Sequence, residues 1–220
     1  MSGREDPPMT QNLYYSPGAC SLAAHIALEE IGKPFRLTLA STSDGATKSA
    51  EFLRINPKGR VPVLATDTAV FTEVPAILLH LALSNPNAKL LPGGPDGTVR
   101  CVEWFNWLSG TVHAVAVRQI WRPESFIADG AQFPKVVEKG RTNLRAAFAA
   151  IENKMTGRLW AIADTYSIVD LYLLVFFRWG NRMGMDMRHD YPAWTQNTLE
   201  QLKRPAVTRA LNTEAVSIWS

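Results

Sequence analysis

Leu13-Tyr14-Tyr15-Ser16-Pro17-Gly18-Ala19-Cys20-Ser21-Leu22-Ala23 is the stretch whose reading decides the fold. Leu13 to Tyr15 form a short β-prone run. Ser16-Pro17-Gly18 stops it, because proline fixes φ and glycine permits a sharp turn. A helix starts behind that turn, since Leu22, Ala23, Ile26, Ala27 and Ile31 recur at helical spacing. Gly32 supplies a left-handed stop and Pro34 prevents continuation. Cys20 therefore falls at a helix start, where unpaired N–H groups and the positive dipole end favour a thiolate. It is the residue expected to carry the chemistry. The competing reading is a buried, inert cysteine, since free Cys is among the most buried residue types.

Working outward, residues 35–39 alternate apolar and polar side chains like a strand. A polar loop, 40–47, leads to a short helix over 49–54, ended by Asn56-Pro57 and the turn Lys58-Gly59-Arg60. Residues 61–65 and 69–71, separated by Thr66-Asp67-Thr68, read as a hairpin. Glu73 then opens a helix with Pro75 in its first turn, where a missing N–H costs nothing. The resulting order is βαβ-αββα. Everything after Gly97 reads as helix after helix: 99–121, broken by Arg122-Pro123, then an amphipathic 133–155, then an apolar run to Phe177. Ser167-Ile168-Val169-Asp170 forms a capping box ahead of that run. The expected class is α/β plus all-α. Residues 1–9 form a loose leader, 10–85 the first domain, 86–97 a turn-rich linker and 98–220 the helical domain.

A chain of 220 residues with 46% hydrophobic content can bury a substantial core. The run 168–177 is interrupted by Asp170 and closed by Arg178, short of the roughly 20 residues of a membrane span. No membrane partner is expected, and the polar, proline-rich opening lacks a secretory signal's apolar centre, which points to the cytoplasm. Cys20 and Cys101 are far apart and read as reduced thiols, with Cys101 assigned to helix packing. The net charge of +3 is spread along the chain, so nucleic acid is not an expected partner. His25, His80, His113 and His189 have no metal-ligand spacing, and no metal is expected.

Three further features bear on chemistry. Val61-Pro62 stands at a strand start; a cis bond there would present the Val61 backbone near Cys20 to an extended peptide. Glu73 precedes a helix whose first N–H groups can bind a carboxylate, while its own side chain can receive an ammonium. The alternative is an acid that merely complements the helix dipole. Trp107, Trp121, Phe126 and Trp179 are candidates for an apolar pocket and equally for core, and His113 alone reads as an interior or surface histidine.

Together these residues resemble the glutathione transferase superfamily, and within it the bacterial cysteine-type, or beta, class. The opening 13–23 and the segment Asn56-Pro57-Lys58-Gly59-Arg60-Val61-Pro62-Val63-Leu64 look like that class's two N-terminal signatures. Glu103 to Leu108, Trp121-Arg122-Pro123, the 167–170 capping box and Arg178-Trp179 match in the helical part. The resemblance implies a thioredoxin-like first domain with a cis Val61-Pro62 bond, an all-helical second domain and a homodimer. It implies glutathione as co-substrate, its cysteinyl backbone paired with Val61, its γ-glutamyl ammonium at Glu73 and its carboxylate at the N–H groups near Val74. Cys20 would face the glutathione sulfur, and Asn106 and His113 would line the site.

Three departures stand out. Val74 replaces the usual Ser or Gly; the 40–47 loop is short and offers only Lys48 for the lysine that often touches the glycine end; and Ala114 follows His113 where a basic residue is common. The expected activity is alkyl or aryl transfer to glutathione, or monothiol exchange through a Cys20 mixed disulfide, with a small hydrophobic electrophile or a disulfide as partner. Ser21 and Tyr15 are fallback hydroxyl donors. A non-catalytic protein of the same fold, holding glutathione or a hydrophobic ligand, is the alternative. A dimeric interaction module is a third reading.

Overall fold

Strand alternation and turn chemistry in the first third of the chain generate a four-stranded sheet. The computed structural model describes residues 11–162 and 164–220, so the expected 1–9 leader lies outside the described residues. Strands β1 (Gln11–Tyr15), β2 (Arg36–Leu39), β3 (Val63–Thr66) and β4 (Val70–Thr72) lie in the order β2-β1-β3-β4. β1 runs parallel to β2 and antiparallel to β3, and β3 pairs antiparallel with β4. Helix α1 (Ser21–Ile31) makes the β1-to-β2 crossover. It ends at Gly32, whose φ of 70° lets its N–H reach the Leu28 carbonyl at 3.1 Å. Helix α2 (Ala50–Ile55) is capped by the Ser49 hydroxyl, which accepts from Phe52 N–H at 3.1 Å. Helix α3 (Val74–Ser84) follows the β3–β4 hairpin. This is the thioredoxin-like arrangement read from the sequence. β3 starts two residues later than expected, because Pro62 has no N–H to donate to a ladder. The Val61–Pro62 peptide is cis.

The stretch 86–97 is more than a spacer: Leu90 is buried, and its carbonyl accepts from Ile168 N–H at 2.9 Å. After it come α4 (Gly97–Trp107), ten residues wound as a π-helix (Leu108–Val117) and α5 (Arg118–Trp121), which ends before Pro123. The expected helix 99–121 is thus continuous, with a π-wound centre that hydrophobic periodicity did not register. Helix α6 spans Phe133–Met155, as its amphipathic pattern requires. Helix α7 (Ile168–Arg182) is buried on every face from Ile168 to Gly180 and forms the axis of the helical unit. Helices α8 (Met187–Asp190), α9 (Pro192–Leu202) and α10 (Pro205–Glu214) complete it.

The two units share one core. Helix α1 packs against α3, α7 and α10, and its Leu22, Ala23, Ala24, Ile26, Ala27 and Leu28 are all buried. Each large apolar side chain buried there contributes about 1.5–3 kcal/mol. Wedging α1 between sheet and helical unit places its N-terminus, and with it Cys20, at the seam between them.

Candidate active site

Cys20 takes the N-cap position of α1, and its Sγ lies 3.5 Å from the Val61 carbonyl, to which it donates. The first two signature stretches, 41 residues apart, therefore meet at the thiol. Burial works against the expected thiolate. Cys20 is only 9% exposed, and burial pushes its thiol up from 9.0 to about 12. The backbone N–H groups of Cys20 and Ser21 and the charge of Arg60 oppose this, while the Glu73 carboxylate reinforces it. Desolvation outweighs the helix start because a thiolate loses more solvation on burial than two N–H groups restore.

The turn before Cys20 is held from the helical unit. Gly18, at φ 64°, donates its N–H to Glu214 Oε2 at 2.7 Å. Its carbonyl accepts from Trp179 Nε1 at 3.0 Å and Arg178 Nη1 at 3.2 Å. The dihedral favours glycine here, and a Cβ on Gly18 would sit 2.6 Å from Arg178 Nη1 and displace the guanidinium. Buried Glu214 also pairs through Oε1 with His25 Nδ1 at 2.8 Å. Of the two fallback hydroxyls, that of Ser21 is committed elsewhere. Ser21 is fully buried, accepts from Ser16 N–H and donates to the Ser16 carbonyl, each at 3.2 Å. Tyr15 is half-buried and packs its ring against the core, 6.0 Å from His25.

Glu73 stands just before α3 at φ 72°, a positive value that a non-glycine residue adopts only when its surroundings impose it. Its side chain makes no capping bond to α3 and instead forms an ion pair with Lys58, whose Nζ also reaches Thr72 Oγ1 at 2.8 Å. The Glu73 carboxylate raises the proton affinity of Cys20, His113 and Tyr172, so its charge is felt by all three groups. Val74 is buried at the α3 start. Lys48 reaches over Gly59, within 2.7 Å of where a Cβ would stand on that residue.

His113 lies on the π-wound segment with Nδ1 3.3 Å from the Tyr172 hydroxyl and its ring 4.9 Å from that of Trp179. Asn106 is exposed on α4. Trp121 and Trp179 meet at 5.1 Å, but Trp107 turns to Trp104 at 5.5 Å and does not join them. Trp179 is also 3% exposed, so most of its ring is core and its indole N–H serves Gly18. Phe126 is exposed in the loop after Trp121. The sequence reading assigned no role to Tyr172, Arg60, Glu214 or His25. Tyr172 and Arg178 sit within quoted or neighbouring motif residues, whereas Glu214 carries no local signal.

Burial, with Arg60 and Arg118 nearby, lowers His113 from 6.5 to about 4. The unfolded chain then binds more protons than the folded one between about pH 4 and 6.5. His113 therefore adds stability as pH rises through that window, by ~3 kcal/mol, and nothing further above it. Asp170, raised by burial from 3.8 to about 6, acts in the opposite sense, since its folded form binds the proton more tightly. Thermal unfolding of His113→Gln beside the parent isolates the histidine. The gap between parent and variant is expected to widen as pH rises from 4.5 to 6.5, and a constant gap contradicts the assignment.

Among the described residues no group of His, Cys, Asp or Glu is disposed to hold a metal, and no helix is long and apolar enough to cross a membrane. The family models for the glutathione S-transferase N-terminal and C-terminal domains match residues 18–84 and 111–201. A curated relative, glutathione S-transferase GST-4.5 of Xanthomonas campestris pv. campestris, is 35% identical across 80% of this chain and 85% of its own. The chain belongs to the glutathione transferase family. Solved glutathione transferase structures agree. A bacterial beta-class enzyme from Sphingomonas chungbukensis superposes with a TM-score of 0.81 at 31% identity, covering 94% of this chain and 100% of its own. A glutathione transferase homologue from Sulfitobacter, solved with bound glutathione, gives a TM-score of 0.88 at 25% identity, covering 94% and 100%.

Proposed function

We propose that this protein binds glutathione in the cleft between Cys20, Val61 and Glu73 and joins its sulfur to a small electrophile. The observation that carries the reading is the meeting of Cys20 with the Val61 carbonyl under the field of Glu73. In the bound state the cysteinyl backbone pairs with Val61 and the γ-glutamyl ammonium replaces Lys58 at Glu73. The γ-glutamyl carboxylate meets the α3 start near Val74, with Asn106 and His113 closing the far side. A thiol held near 12 keeps its proton at neutral pH. Cys20 S–H is then a hydrogen-bond donor to the glutathione thiolate, whose own proton leaves to water. The thiolate attacks the electrophilic carbon, a C–S bond forms, and the leaving group departs with the electron pair of the bond it breaks.

A charge-assisted donor of this kind contributes about tenfold or more in rate, so Cys20→Ala is expected to reduce conjugation of glutathione to an aryl halide by about that factor. An unchanged rate removes Cys20 from the mechanism. Thiol–disulfide exchange is the second reading: the Cys20 thiolate attacks oxidised glutathione, forming a Cys20–glutathione disulfide and releasing one glutathione thiolate. Intact mass after incubation with oxidised glutathione decides it. The burial of Cys20 makes this adduct slow to form at pH 7 and faster as pH rises. A protein that binds glutathione and yields neither product is the ligand-binding alternative.

The homodimer belongs to the same proposal. Val70 on β4, Leu83 on α3, and Val99 and Val102 on α4 are exposed apolar residues on adjoining elements, a surface that a second copy would cover. A solution mass of twice the chain is expected, and a single-chain mass overturns it.

A further inference from the structure

Arg178 and Trp179 were singled out as a motif, and glutathione binding leaves them without a task. The structure gives Arg178 two ends. Its Nη1 donates to the Gly18 carbonyl at 3.2 Å, 160 residues away in sequence and two residues before Cys20. Its Nε donates to the Ser217 carbonyl at 2.8 Å. Ser217 belongs to a strap, 216–219, that leaves α10 through Ala215 at φ 52° and crosses back over α7. The strap is anchored independently of Arg178. Val216 N–H donates to the Leu211 carbonyl at 3.0 Å, and Asn181 Nδ2 donates to the Ile218 carbonyl at 3.0 Å. Ile218 is buried, and Arg188 stacks on the Trp219 ring at 3.9 Å.

A planar guanidinium shared between two carbonyls transmits position, because its donors are rigidly spaced and lie in one plane. Shifting the strap moves Nε, and Nη1 must follow. Gly18 has little slack to absorb the movement, since the guanidinium fills the space where its Cβ would be, Trp179 donates to the same carbonyl and Glu214 holds its N–H. We infer that Arg178 is a positioning residue for Cys20, and that the strap 216–219 sets, through Arg178, how deeply the Cys20 turn is seated. The inference rests on the proposed role of the Cys20 cleft, but its central readout does not require glutathione.

That readout is alkylation by iodoacetamide at pH 8, followed by peptide mapping of both cysteines in the full chain. Cys101, fully buried in α4, is the internal control for general loosening. Arg178→Met severs both ends of the link. Ile218→Ala loosens the strap while keeping the arginine, and keeps the test decisive if the first variant fails to fold. Both variants are expected to alkylate Cys20 faster, about tenfold for each unit by which exposure lowers its pKa, with the Cys101 rate unchanged. Glutathione affinity, read by calorimetry, is expected to weaken several-fold. Equal acceleration of both cysteines, or no acceleration of Cys20 in a folded variant, overturns the inference. If the parent protein fails to bind glutathione, the functional reading falls, and the alkylation ratio still decides the coupling.

Discussion

Asp170→Ala is expected to destabilise the protein by about 3–5 kcal/mol, the range seen when one partner is removed from a buried charged network. Asp170 is fully buried at the first turn of α7. Its Oδ2 accepts from Ser167 N–H at 2.9 Å and from the Ser167 hydroxyl at 3.1 Å. Its Oδ1 accepts from Ala161 N–H and Asn197 Nδ2, both at 2.9 Å. Alanine would leave all four donors facing a dry cavity at the N-terminus of the most buried helix. Unsatisfied buried donors cost about 1–3 kcal/mol each before relaxation. Because α7 carries Tyr172, Arg178 and Trp179, the loss reaches the active-site seam as well. For a chain of this size the melting temperature should fall by roughly 10 °C. A loss below about 1 kcal/mol would mean that water or neighbouring groups satisfy the donors after all.

Glu214→Leu is the second substitution with a large expected effect, again about 3–5 kcal/mol. Leucine removes the acceptor of both Gly18 N–H at 2.7 Å and His25 Nδ1 at 2.8 Å, and each of those donors is buried. His25 Nε2 makes no hydrogen bond and lies 3.9 Å from Glu29 Oε1, so the variant leaves the ring with neither nitrogen hydrogen-bonded. Helix α10 would lose its polar tie to α1. Equilibrium urea unfolding checks the magnitude. Glu214→Gln, which keeps an acceptor and similar volume, should recover most of the loss. If the glutamine variant is as unstable as the leucine variant, the charge on Glu214 matters more than its hydrogen bonds.

Much of this architecture is legible in local sequence because the devices that build it are local. The Pro17-Gly18 turn, the Gly32 stop and the Ser167–Asp170 box each act over a few residues, and all stand where the pattern places them. Amphipathic periodicity located α6 at its full length. The π-wound 108–117 segment escaped because a run of Val, Ala and Leu satisfies several helical periods at once. Helices α8 to α10 were anticipated only as a helical remainder, since Pro192 and Pro205 start new helices without a strong apolar stripe between them.

Cys20 shows where local reading stops. Its address at the head of α1 follows from eleven residues read in order, because backbone turns and helix starts are set by neighbours along the chain. Its protonation state does not follow from them. Packing α1 against α3, α7 and α10 closes the thiol in, and Glu73 faces it from 53 positions further along, so burial overrides the helix start. The seating of its turn likewise depends on Arg178, Trp179 and Glu214, brought to Gly18 across 160 to 196 residues of chain. Hydrogen bonds and solvation act through space, so the state of a reactive group belongs to the assembled fold even where its position belongs to the chain.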